Sequence, residues 1–125
     1  MRSLSLQVYV IGASQDIMWD EDRLLSLSRG ACRESGVKIL ASLSKEFPDG
    51  VSNLIMGEKS HTGIHTWPEV SFAEITATTN SPDADIMKSI SHYLKYIEPE
   101  HAYGIAVDLS SNDAVSYTHL RAHET

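Results

Sequence analysis

The residues best suited to chemistry are concentrated in one short stretch near the middle of the chain. Residues 58–69 read Glu-Lys-Ser-His-Thr-Gly-Ile-His-Thr-Trp-Pro-Glu and combine a serine, two histidines and two acids. One chemistry is metal binding, because His61 and His65 have the H-x-x-x-H spacing that converges on one ion in a helix. The β-branched residues and Gly63 predict a strand instead, where four residues separate the two rings by roughly 13 Å. We therefore expect no metal here.

The same stretch contains the residue types of a hydrolase triad, Ser60, His65 and Glu69. No G-x-S-x-G turn precedes a helix, so the strained turn that exposes a nucleophilic serine is missing. A third interpretation treats these side chains as ordinary polar residues on the solvent face of a hairpin. Residue types alone leave that interpretation open.

The elements that position this stretch follow from the apolar periodicity. A helix is predicted from Asp20 to Gly36, with acidic residues at its positive N-terminal end. Pro48-Asp49-Gly50 predicts a hairpin turn. Strands are predicted where apolar residues alternate with polar ones or β-branched residues cluster: 4–10, 37–47, 51–56, 62–67, 72–79 and 103–109.

A second amphipathic helix is predicted before the last strand. Ser81 is the expected N-cap and Pro82 the first helical residue, followed by one apolar stripe that runs from Ile86 to Ile97. The order βαββββαβ predicts an α+β fold, a two-layer α/β sandwich. Its sheet is mainly antiparallel, with the two helices on one face.

Composition limits the classes of partner and compartment. The chain has 125 residues, 42% of them hydrophobic, and a formal net charge of −7 without a basic cluster, so we expect one domain and neither nucleic acid nor membrane as a partner. Cys32 is the only cysteine, and no secretory apolar stretch follows Met1, so a cytoplasmic protein is expected. Residues 115–125 lack periodicity linking them to the domain at 1–114 and are predicted to be a non-native or disordered tail.

Residues 59–69 resemble the processing-site signature of the bacterial and archaeal S-adenosylmethionine decarboxylases, E-S-H-x-x-I-H-T-W/Y-P-E. The likeness extends over most of the chain from Leu4 to Leu109. It includes the upstream Gly-Val-Ser at 50–52 and the helix start at 81–83.

The resemblance implies a precursor that cleaves itself between Lys59 and Ser60. Ser60 would become a pyruvoyl group, which forms a Schiff base with an amino-acid-like substrate and replaces pyridoxal phosphate or a metal. Ser52 and His65 occupy the family's positions that assist processing. The implied substrate is S-adenosylmethionine, for spermidine biosynthesis, and the implied assembly is a homodimer of processed units with active sites near the subunit interface.

A hairpin turning at Glu58-Lys59 predicts that Ser52 lies directly opposite His65. On an extended strand Ser60 and His65 would lie roughly 16 Å apart, so their cooperation requires the loop to fold back or Gly63 to bend the strand.

Two positions depart from the family pattern. Lys59 replaces the usual Glu before the cleaved serine, which changes no reacting group because the attacked atom belongs to the backbone. Asn80 occupies the position of the family's acid cysteine, and a neutral amide is no proton donor of suitable pKa. Two alternatives therefore stay open: a pyruvoyl-dependent ornithine or arginine decarboxylase of the same family, and a non-catalytic regulatory homologue.

Overall fold

An antiparallel sheet organises the chain. The computed structural model describes residues 3–81 and 84–108, together with the backbone of 114–120. The strand order is β2-β3-β4-β5-β1-β6-β7. The elements are β1 (Leu4–Ile11), α1 (Gln15–Met18), α2 (Glu21–Glu34), β2 (Ile39–Phe47), β3 (Gly50–Gly57), β4 (Ser60–Trp67), a 3-10 turn (Pro68–Val70), β5 (Phe72–Thr79), α3 (Ile86–Ile97), β6 (His101–Asp108) and β7 (Ala114–Leu120).

The two faces of the sheet differ in what covers them. Alternate strand residues are buried beneath α2 and α3, where they form a main apolar core with the inward stripes of both helices and a smaller cluster around Cys32, Val37 and Ile55. We call this side the helix face and the other side the open face. Members of the core from the strands include Val8, Val10, Val51, Ile64, Ile75 and Ala77. The predicted two-layer α+β sandwich is confirmed.

The predicted start of the second helix is wrong. Helix α3 begins at Ile86, where the Asp85 carboxylate accepts hydrogen bonds from the backbone N–H groups of Met87 (3.1 Å) and Lys88 (3.3 Å). Ser81 is not the N-cap, because the backbone N–H of Asp85, which would close a first helical turn on the Ser81 carbonyl, instead donates to the Ser35 carbonyl at 3.0 Å. Pro82, the predicted first helical residue, lies outside the described residues.

Strand β7 pairs in antiparallel register with β6. It overlaps residues 115–120 of the predicted tail, so this part of the backbone is a strand, and residues 121–125 lie outside the described residues. The domain boundary at residue 114 stays a prediction.

Buried hydrogen bonds connect the β3–β4 hairpin to both long helices. The Tyr93 hydroxyl on α3 donates to Ser28 Oγ on α2 at 2.7 Å, and Ser28 Oγ donates to Asn53 Oδ1 on β3 at 2.7 Å. Tyr93 also lies 3.3 Å from the Thr62 hydroxyl on β4. Burial raises the pKa of Tyr93 to about 12, so its phenol stays protonated and donates.

Candidate active site

The β3–β4 hairpin carries most of the predicted site residues. Its register places Ser52 opposite His65 and Gly57 opposite Ser60, so the predicted pairing of Ser52 with His65 is confirmed. The two-residue turn is Glu58-Lys59, in which Lys59 has a φ of 60°. A non-glycine residue in this left-handed region is strained by about 1–2 kcal/mol. The strain lies at the residue that precedes Ser60.

The Lys59 carbonyl accepts hydrogen bonds from the adjacent strand. The backbone N–H of Asn80 donates to it at 2.9 Å, and the Thr79 hydroxyl donates at a longer 3.4 Å. Thr79 is only 2% exposed, and its Oγ1 lies 2.6 Å from the half-buried Ser60 Oγ. The structure thus gathers the Ser60 hydroxyl, the preceding carbonyl and two donors to that carbonyl.

Ser52 and His65 lie on the other side of the sheet from Ser60. The Ser60 hydroxyl bonds with the buried Thr79 on the helix face, whereas His65 stacks with aromatic rings on the open face. Strand β4 is continuous from Ser60 to Trp67, so the five-residue offset separates Ser60 from His65 by roughly 16 Å. The loop does not fold back and Gly63 does not bend the strand. Within one chain, Ser52 and His65 come together but Ser60 stays apart from both.

A row of aromatic rings runs across the open face beside His65. Ring centroids lie 4.1 Å apart for His65 and Trp67, 6.3 Å for Phe47 and His65, and 5.4 Å for Trp67 and Phe72. Tyr9 continues the row at 5.9 Å from Phe72. Sequence reasoning missed Phe47, Phe72 and Tyr9, although strand alternation and register were the signal that would have placed them on one face.

Asn80 contributes to the site through its backbone. Its N–H is the shorter donor to the Lys59 carbonyl, and its side-chain Oδ1 is buried with no hydrogen-bond partner among the described residues. Residue 80 therefore supplies a backbone donor for the Lys59 carbonyl but no side-chain acid. Thr79 was also missed, because its contacts with Ser60 and the Lys59 carbonyl follow only from the pairing of β4 with β5.

His61 and His65 lie four residues apart on strand β4. The H-x-x-x-H spacing brings two rings to one ion in a helix, and this segment is not a helix. Among residues 3–81 and 84–108, no group of three or more His, Cys, Asp and Glu side chains gathers as a metal site requires. In the same ranges, no helix is both long and apolar enough to cross a membrane.

The fold and hairpin define a small α+β protein that holds a serine hydroxyl beside the peptide bond preceding it. A family model described as S-adenosylmethionine decarboxylase matches residues 4–108. The chain belongs to this family, and the resemblance drawn from residues 59–69 is confirmed.

Individual relatives agree with this assignment. The chain is 27% identical to the S-adenosylmethionine decarboxylase proenzyme of Thermococcus onnurineus over 115 residues, which cover 90% of this chain and 82% of that protein. It is 30% identical to the proenzyme of Thermotoga maritima over 95 residues, covering 75% and 73%.

Solved structures share the fold. The crystal structure of the adenosylmethionine decarboxylase from Aquifex aeolicus superposes with a TM-score of 0.76 at 18% identity, covering 84% of this chain and 88% of that chain. An AdoMetDC monomer from Trypanosoma brucei gives a TM-score of 0.58 at 17% identity, and the match covers 45% of that longer chain.

Proposed function

We propose that the chain is the proenzyme of a pyruvoyl-dependent S-adenosylmethionine decarboxylase, a carboxy-lyase of spermidine biosynthesis, which cleaves itself between Lys59 and Ser60. Family membership supports the reaction class. The single observation that carries the cleavage is the Lys59 carbonyl, which accepts two hydrogen bonds beside the Ser60 hydroxyl. The proposal keeps the enzyme in the cytoplasm, as the sequence predicts.

The residues present fit formation of a pyruvoyl group from Ser60. Attack of Ser60 Oγ on the Lys59 carbonyl converts the peptide bond into an ester, and the Asn80 N–H stabilises the negative charge that develops on the carbonyl oxygen. β-Elimination of the ester and hydrolysis of the resulting dehydroalanine then convert Ser60 into the pyruvoyl terminus of the second fragment. That group supplies a carbonyl electron sink for decarboxylation, as pyridoxal phosphate does in other enzymes.

Family membership supports S-adenosylmethionine as the substrate. The aromatic row on the open face, across the sheet from the Ser60 hydroxyl, has ring types suited to the parts of this molecule. This molecule combines a flat purine with a cationic sulfonium, and aromatic faces bind flat rings by stacking and cations by cation–π attraction. His65 and Trp67, with centroids 4.1 Å apart, offer such faces. Ornithine has no ring to stack.

Asn80 is the reason to test ornithine and arginine as alternative substrates. Because an amide is not a proton donor of suitable pKa, the proton that replaces carbon dioxide must come from another group or from water. A shift to ornithine or arginine, within the same pyruvoyl chemistry, is the alternative that this substitution motivates.

We further propose a homodimer of processed units that pair through their open faces. Large apolar side chains are exposed there, including Leu43 at 72% and Met56 at 51%. Sheets stack face to face at about 10 Å, which would bury these side chains. Light scattering after size exclusion should give twice the processed mass, and Leu43→Glu should give the single unit. A single unit for the unchanged protein would contradict the dimer.

The deciding measurement is the intact mass of fresh protein under denaturing conditions, beside a Ser60→Ala control. We expect two fragments, the second with a pyruvoyl terminus, from the unchanged chain and one uncut chain from the control. An unchanged chain that stays uncut would refute self-processing and favour the non-catalytic regulatory homologue.

Release of labelled carbon dioxide then identifies the substrate. The proposal predicts release from carboxyl-labelled S-adenosylmethionine and none from ornithine or arginine. The reverse pattern would establish the alternative decarboxylase.

A further inference from the structure

The hydroxyl of Thr79 has a contact with both groups that react during cleavage. Its oxygen lies 2.6 Å from Ser60 Oγ and 3.4 Å from the Lys59 carbonyl oxygen. The backbone N–H of Ser81 donates to the same oxygen at 3.0 Å. Thr79 is only 2% exposed, so solvent water hardly reaches its hydroxyl.

The number of donors and acceptors on each group determines which way the Ser60 and Thr79 hydroxyls donate. A threonine hydroxyl has one proton to donate and two lone pairs that accept. One lone pair accepts from the Ser81 N–H, and the carbonyl of Lys59 can only accept. In the arrangement that satisfies all contacts, Ser60 donates to Thr79 and Thr79 donates to the Lys59 carbonyl. This is a continuous proton path from the nucleophile to the oxygen that becomes negative.

We propose that Thr79 is a catalytic residue of self-cleavage, which relays the Ser60 proton to the Lys59 carbonyl oxygen. This inference rests on the proposed function. As Ser60 Oγ bonds to the carbonyl carbon, its proton passes to Thr79 Oγ1 and the Thr79 proton passes to the carbonyl oxygen. The carbon–nitrogen bond then breaks, the carbonyl re-forms, and the hydroxyl proton moves to the departing nitrogen. The products are an ester on Ser60 Oγ and a free Ser60 amine, so the step is an isomerisation that needs no co-reactant.

His65 does not perform this relay within one chain. It lies roughly 16 Å from Ser60 along β4, on the open face. The Asn80 N–H reaches the carbonyl at 2.9 Å but cannot accept the Ser60 proton. The Thr79 hydroxyl, in contrast, contacts Ser60 Oγ directly and can both accept a proton and donate one.

The test compares Thr79→Val, which deletes the hydroxyl at similar volume, with Thr79→Ser, which retains it. Thr62→Val is the matched control, because Thr62 is also buried on the helix face (3% exposed) and loses an equivalent hydroxyl two residues from Ser60. Each chain is made in a cell-free system and cleavage is followed by intact mass over time, with and without hydroxylamine, which cleaves esters. Thermal unfolding of each variant checks the fold, and Thr79→Ala replaces Thr79→Val if the latter is unfolded.

We expect Thr79→Val to slow cleavage on the order of 10²-fold, the usual contribution of a positioned acid–base group. Thr79→Ser and Thr62→Val should cleave within a few-fold of the unchanged chain, and hydroxylamine should not rescue Thr79→Val because no ester accumulates.

Two results would overturn the relay while leaving the proposed function intact. One is a Thr79→Val chain that cleaves at the unchanged rate. The other is a Thr79→Val chain that accumulates a hydroxylamine-sensitive ester, which would place Thr79 after the acyl shift. An unchanged chain that never cleaves would instead overturn both proposals, so the two failures are distinguishable.

Discussion

Replacing Tyr93 with phenylalanine removes one hydroxyl from the buried hydrogen bonds that connect the β3–β4 hairpin to the helices. Tyr93 is 0% exposed and donates to Ser28 Oγ at 2.7 Å. Ser28 still donates to Asn53 after the change, so the loss is the hydrogen bond to Ser28, which leaves an unfilled acceptor there, and the longer 3.3 Å contact with the Thr62 hydroxyl. Tyr93→Phe should therefore lower the free energy of unfolding by about 1–2 kcal/mol at neutral pH.

At alkaline pH, Tyr93→Phe should instead make the folded protein more stable than the unchanged chain. Burial raises the pKa of Tyr93 from 10.0 to about 12, so above pH 10 the unfolded chain loses this proton while the folded chain keeps it. The native state then binds more protons, and its stability falls as pH rises, levelling off near the folded pKa. The full two-unit difference is worth about 2.7 kcal/mol, and half of it, about 1.4 kcal/mol, is lost midway between the two pKa values. Phenylalanine has no proton to lose, so the stability of the Tyr93→Phe protein does not fall for this reason.

Urea unfolding from neutral to alkaline pH tests whether Tyr93→Phe is less stable at neutral pH and more stable at alkaline pH. Both proteins carry Ser60→Ala so that the chain stays intact. The stability gap between Tyr93 and Tyr93→Phe should close near the midpoint of the pKa window, while Tyr96→Phe serves as the control because Tyr96 is 55% exposed. Other tyrosines and lysines titrate equally in both proteins and cancel in the difference. A gap that stays constant with pH would refute the reasoning.

Other changes test single features of the hairpin, the helix start and the core. Lys59→Gly on the Ser60→Ala background should raise the free energy of unfolding by up to about 1 kcal/mol, because glycine adopts the φ of 60° without strain; a loss in urea unfolding would contradict this. Asp85→Ala should lower thermal stability by about 1 kcal/mol and Asp85→Asn by much less, whereas equal losses would argue against the cap. Burial raises the pKa of the Cys32 thiol, so a disulfide reagent should label it slowly until the protein is denatured, and fast native labelling would show an open core.

The sheet and its pairing were predictable because strand periodicity and turn residues act locally. Alternation of apolar residues located the strands, and the two-residue turn at 58–59 set the register that places Ser52 opposite His65. The start of α3 was not predictable in this way. Both Ser81 and Asp85 are good caps, and the choice is made by a contact distant along the chain: the Asp85 N–H, which would close a turn on the Ser81 carbonyl, donates to the Ser35 carbonyl.

The site was only partly predictable for a related reason. A motif names residues by order along the chain, but the sheet distributes them over two faces. Ser60 and His65 belong to one signature and one strand, yet they lie five positions apart, an odd number, so their side chains lie on opposite faces. Thr79 is ten residues beyond the end of the signature at 59–69, yet the β4–β5 pairing puts it directly opposite Ser60.

Asn80 separates the requirements of cleavage from those of decarboxylation. The proposed cleavage uses the backbone N–H of residue 80, which donates to the Lys59 carbonyl whatever side chain is attached. Decarboxylation uses an acid to protonate the substrate carbon, and that role depends on the side chain. If residue 80 is the family's acid position, as the resemblance implies, a chain with asparagine there retains the proposed donor for cleavage but lacks the thiol proposed to act afterwards. It follows that efficient cleavage alone says nothing about turnover, and that Asn80→Cys should alter the rate of carbon dioxide release without altering the rate of cleavage.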